Sequence, residues 1–102
     1  MLDFHLSVQP KTEQRLKIIL NSVEDEESFA QSIIDDQIVR LQRAILNLRL
    51  DLRVFEQKYQ ITSEQFSQEF SQGILADEED FMIWAGLYEM LGQNEIQLQK
   101  LR

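Results

Sequence analysis

Residues 4–10 read Phe4-His5-Leu6-Ser7-Val8-Gln9-Pro10, an alternating run that ends at a proline and leads straight into helical sequence. Phe4, Leu6 and Val8 share one parity and face one side of an extended strand, while His5, Ser7 and Gln9 face the other. Nothing after Pro10 reads as a second strand, yet the backbone groups of a strand must be paired. The expected solution is the same strand from a second copy of the chain, giving a homodimer held by a two-stranded ribbon. Ribbons of this kind can enter the major groove of DNA.

Pro10 suits the first position of a helix, because its fixed φ is already helical. A first helix is expected from about Lys11 to Asn21, with Leu16, Ile19, Leu20 and Val23 as its apolar stripe. After a turn, Asp25 can cap a second helix, and Glu26 and Glu27 sit favourably near its positive end. In that helix Ile34, Ile38, Leu41, Ile45, Leu48, Leu52, Phe55 and Tyr59 follow one another at alternating spacings of 4 and 3. This is an unbroken heptad seam and predicts a long helix–helix contact. Phe29, Ile33, Leu46, Leu50 and Val54 form a second stripe off the seam, so the helix should pack against two neighbours.

Beyond Tyr59, Thr62 and Gln65 match a capping box, and Ile61 with Phe66 matches a hydrophobic staple. A third helix should run to about Gln72 and stop at Gly73, which can take the left-handed cap conformation. Asp77 reads as the cap of a fourth helix with Phe81, Trp84, Leu87, Tyr88 and Leu91 on one face. Gly92-Gln93-Asn94 should weaken that helix, and the last ten residues should fray.

The chain has 102 residues, enough for one small domain or a domain with a tail. Its 3 Gly and 1 Pro leave Lys11 to Gln72 free of both, which fits long uninterrupted helix. With 0 Cys, disulfide and thiol chemistry are excluded and nothing points to secretion. Asp3 and His5 break the N-terminal apolar run, so no signal peptide is expected, and no stretch approaches membrane-spanning length. The expected location is the cytoplasm. Net charge is −8, and it is unevenly spread: the first 23 residues are mildly basic and residues 61–102 strongly acidic. Such asymmetry points to two surfaces for two kinds of partner, although acidic runs also serve solubility alone.

No catalytic constellation can be assembled from 1 His and 0 Cys, so the chain reads as a non-enzyme. The acidic runs Glu24–Glu27 and Asp77–Asp80 lack calcium-loop spacing and lie where helix starts attract acids, so no metal or cofactor is expected. His5, Ser7 and Gln9 are the candidates for base contact; the alternative is the wet face of a ribbon. Lys11 and Arg15 are candidates for phosphate contact, together with Lys17. Phe81, Trp84 and Tyr88 among acids can grip a basic protein partner; the alternative is that they cover the second stripe of the long helix.

On Phe4-His5-Leu6-Ser7-Val8-Gln9-Pro10, Arg15-Leu16 and Ser28-Phe29-Ala30-Gln31-Ser32-Ile33-Ile34, residues 4 to about 46 resemble a ribbon-helix-helix domain. The resemblance implies an intertwined dimer in which His5, Ser7 and Gln9 read bases and Ser28 touches phosphate. The chain departs from that pattern in having no Arg or Lys on the strand and an acidic lead-in to Ser28. Leu48–Glu89 is similar to the C-terminal part of small antitoxins of toxin–antitoxin modules. That similarity rests on Leu52-Arg53-Val54-Phe55-Glu56-Gln57-Lys58-Tyr59, Ser63-Glu64-Gln65-Phe66, Gly73, Asp80-Phe81 and Trp84-Ala85-Gly86-Leu87-Tyr88. It implies that Phe66, Phe70, Phe81, Trp84 and Tyr88 help to neutralise a toxin, often an RNase, while the N-terminal part represses the module's own operator DNA. The expected fold is therefore mainly α: a ribbon-helix-helix-like dimer over residues 1–46, with one strand per chain and a long second helix, and a helical toxin-binding extension over 47–102. The competing expectation is a dimeric helical adaptor that binds no nucleic acid.

Overall fold

The structure, a computed structural model, describes residues 6–23 and 25–102. Four helices follow in order: α1 Pro10–Asn21, α2 Glu26–Tyr59, α3 Ser63–Ser71 and α4 Glu79–Leu101. Among the described residues there is no strand. Phe4 and His5, a third of the expected strand, lie outside the described residues. Leu6–Gln9 is non-helical, and Gln9 is extended at φ −66 and ψ 151. Extended backbone becomes a strand only when another strand pairs with it, and no such segment follows among the described residues.

The chain divides into two units between Ile33 and Ile34, earlier than the residue 46 boundary implied by the resemblance. In the N-terminal unit α1 begins on Pro10, one residue before the expected Lys11, and ends where the Ser22 hydroxyl donates to the Ile19 carbonyl at 2.8 Å. None of the unit's described residues is buried. Leu16 and Val23 are half-covered, while Ile18, Ile19 and Leu20 are exposed. A helix of 12 residues is marginal without tertiary packing.

The C-terminal unit has a core. Ile45, Leu48 and Leu52 of α2 meet Phe66 of α3 and Trp84 and Leu91 of α4. α2 and α4 run antiparallel: Arg49 pairs with Glu95 at 3.6 Å, and Lys58 with Asp80 at 2.7 Å. The seam expected in the sequence is therefore used within the chain, with Leu41, Ile45, Leu48 and Leu52 buried and Phe55 and Tyr59 packed on the core. Phe81 and Trp84 lie on this seam and not on the second stripe, which corrects that expectation: Leu46, Leu50 and Val54 remain exposed.

Local signals account for the short elements. Thr62 is extended and its Oγ1 accepts from the Gln65 amide at 3.1 Å, so the N-cap arm of the expected capping box forms. Ile61 packs on the cluster that contains Phe66, completing the staple. α3 ends in a Schellman turn, with Ile74 N–H bonded to Glu69 O at 3.0 Å, Gly73 N–H to Phe70 O at 3.1 Å, and Gly73 at φ +76. At α4 the cap residue is Glu78, not Asp77, and no side chain caps the helix. α4 also runs unbroken through Gly86 and Gly92 to Leu101. A mid-helix glycine costs about 1 kcal/mol. Burial of Leu91 and packing of Leu98 on the core offset that cost.

Candidate functional site

The chemistry of the C-terminal unit converges on one aromatic cluster. Phe66 and Trp84 have 0% exposure. Their rings stack face to face at 3.9 Å between centroids and 3° between planes. Phe55 and Tyr59 stack on Trp84 at 5.6 and 5.7 Å, and Phe81 meets Tyr59 edge-on at 5.1 Å. Phe70 stacks on Phe66 at 5.4 Å. Edge-on pairs such as Phe81 with Tyr59 add to the energy of burial alone.

Two polar nodes tie the helices around this cluster. In the first, Trp84 Nε1–H donates to Ser63 Oγ at 2.9 Å, and the Ser63 amide donates to Glu56 Oε2 at 2.9 Å. One serine at the start of α3 thus joins α2 to α4, satisfies the buried indole and places a carboxylate at a helix N-terminus. In the second, Asp80 Oδ2 accepts from Lys58 Nζ at 2.7 Å and from Tyr59 OH at 2.6 Å. Hydrogen bonds from Lys58 and then Tyr59 hold the Asp80 carboxyl below its ordinary value of 3.8. Its bond to Asp80 raises Lys58, and a separate bond to Asp80, together with burial, raises Tyr59.

Phe66, Phe70, Phe81, Trp84 and Tyr88, read from the sequence as a partner-binding set, are thus brought together as core. Phe66 and Trp84 have no surface to offer, and the other three are half-buried in the same cluster. Two open clefts of about 410 Å3 each lie beside it. One is lined by Tyr88, Leu91, Gly92, Glu95, Ile96 and Gln99, the other by residues of α2 and α4 including Arg49 and Glu95. Neither gathers a nucleophile with a base, and no group of three or more metal-ligating side chains occurs among the described residues.

The candidate DNA-contact residues lie in the N-terminal unit. Ser7 and Gln9 are exposed ahead of α1, and the Gln9 carbonyl accepts from the Glu13 amide at 3.0 Å. Lys11 and Arg15 are exposed one turn apart on α1, whereas Lys17 pairs with Glu13 at 3.4 Å. His5 lies outside the described residues. At the start of α2 Asp25 acts as expected: its Oδ1 accepts from the Glu27 amide at 3.0 Å and its Oδ2 from the Ser28 hydroxyl at 2.7 Å. These bonds, Ser28 first, lower the Asp25 pKa. The Ser28 hydroxyl, expected to touch phosphate, is occupied by a carboxylate. Sequence reading missed the Glu56–Ser63–Trp84 node, because nothing in the spacing of those three residues links them.

Comparison with family models, with curated proteins and with solved structures returns no match. No helix is long and apolar enough to cross a membrane among the described residues.

Proposed function

We propose that this chain is a cytoplasmic, non-enzymatic regulator of the antitoxin type, built from two units with separate tasks. The N-terminal unit pairs with a second copy and holds operator DNA. The C-terminal helical unit occludes a basic surface on a toxin protein. One observation supports this reading above the others: the N-terminal unit carries a row of apolar side chains and buries none of them. A segment with that composition gains stability only by association. Its order, a non-helical run followed by two helices, is the order of the domain it resembles. In the C-terminal unit the aromatic cluster holds the fold, so partner contact falls to the outer acidic face, where Glu78, Glu79 and Glu89 are exposed beside Met82.

Cutting the chain after Tyr59 would strip the cover from Leu48 and Leu52, so charge reversal is the cleaner test. Glu78→Lys with Glu79→Lys should abolish rescue of growth from a co-expressed toxin while helix content stays unchanged. Full rescue by the folded variant rejects the toxin-binding part. For DNA, a salt-dependent gel shift weakened by Gln9→Ala and Lys11→Ala is expected, with Lys11→Ala lowering the salt slope by about 1.

The runner-up reading is a dimeric helical adaptor without nucleic-acid binding. It is favoured by the Asp25 carboxylate at the start of α2, which repels the phosphate that Ser28 would otherwise meet. The absence of any gel shift at low salt would select it.

A further inference from the structure

The face of α2 turned away from the core carries a second regular pattern. Asp36, Val39, Arg43, Leu46, Leu50 and Arg53 are spaced 3, 4, 3, 4, 3. Each stands two positions before a residue of the inward seam, which rotates it about 200° around the helix to the opposite side. Val39, Leu46 and Leu50 are 42%, 59% and 51% exposed. Arg43 and Arg53 make no ion pair among the described residues, and the pair of Asp36 with Arg40 at 3.2 Å is a solvated surface contact of small worth.

We propose that this strip pairs antiparallel with the same strip on a second copy of the chain. Read in both directions, the strip is complementary to itself. With the twofold axis between positions 44 and 45, Asp36 faces Arg53 of the second copy, Val39 faces Leu50, and Arg43 lays its aliphatic stem along Leu46. Each pairing occurs twice, as a twofold interface requires. Other registers are worse. A parallel pairing sets Asp36, Arg43 and Arg53 each against its own copy. An antiparallel pairing shifted by one heptad brings Arg43 against Arg53, or leaves Asp36 against Leu46. Like charges across the seam, or a carboxylate left against a leucine without a partner, select against those arrangements. The interface lies wholly beyond Ile33, so it is separate from the pairing proposed for the N-terminal unit.

Light scattering or sedimentation of the full chain over a range of concentrations tests the inference. Leu50→Asp should halve the molar mass and leave helix content unchanged, because Leu50 makes no part of the core. Asp36→Arg and Arg53→Asp should each weaken association roughly tenfold, and the two together should restore it. An unchanged mass for Leu50→Asp, or a double variant no tighter than the single ones, overturns the proposal. The N-terminal pairing is read separately: if it also holds, halving takes a tetramer to a dimer, and if it fails, a dimer to a monomer.

Discussion

Both units of this chain are built from helices, yet they have opposite means of support. Near Trp84, three helices are joined by stacked rings and by a serine that bonds to both of its neighbours. Around α1, comparable apolar residues are present and none is buried. Helical sequence and apolar composition therefore do not by themselves make a fold. What separates the units is whether the apolar face finds its cover among the described residues.

The sharpest way to break this contrast is Trp84→Ala. It removes a fully buried ring and leaves the Ser63 hydroxyl without its donor, which should cost about 3–5 kcal/mol in urea denaturation followed by circular dichroism. Dilution probes the other side. On lowering the protein concentration, far-ultraviolet dichroism should lose the helix of α1 while Trp84 fluorescence holds steady; coincident loss of both signals would mean one cooperative unit. Ser63→Ala keeps the rings and deletes only the acceptor, so about 1–3 kcal/mol is expected in the same denaturation assay.

A gentler test uses pH. Asp80 titrates lower in the folded chain than in the unfolded one, so its contribution is complete above 3.8 and is lost as pH falls through the folded value. Lys58 and Tyr59 are raised, so theirs is complete below about 10 and is lost as pH climbs past their folded values. Stability should show a plateau between these limits, and Asp80→Asn should flatten both limbs in a pH series of melting curves. The smallest effect is expected at Gln60, which sits at φ 57. Gln60→Gly relieves the left-handed strain but adds chain entropy, a net gain below about 1 kcal/mol in melting experiments.

Much of the C-terminal unit was legible beforehand. The seam from Leu41 to Tyr59, the Thr62 cap and the Gly73 stop follow from local spacing, and local spacing is what sequence displays. The identity of the seam's cover was not legible, since a heptad looks the same whether it meets its own chain or another. For the same reason Phe66 and Trp84 could be read as anchors for a partner when they are core; aromatic residues suit both roles and exposure is a tertiary property. The strip through Val39 and Leu50 was only half seen, because Arg43 and Arg53 interrupt a count of apolar residues. The weakening expected at Gly92 and the fraying expected beyond it do not appear, because helix propensity alone omits the packing of Leu91 and Leu98.

α4 carries a further consequence. A methyl group built on Gly86 or on Gly92 meets nothing within 4 Å, so alanine fits at both positions. Each replacement should stabilise the helix by about 0.5–1 kcal/mol. By retaining both glycines, the chain leaves α4 opening roughly 5–30 times more often than an alanine version would. Proteases act on opened segments, and where reclosing is fast they act in proportion to how often the segment opens. Replacing both glycines with alanine should therefore slow cleavage within α4 in limited proteolysis.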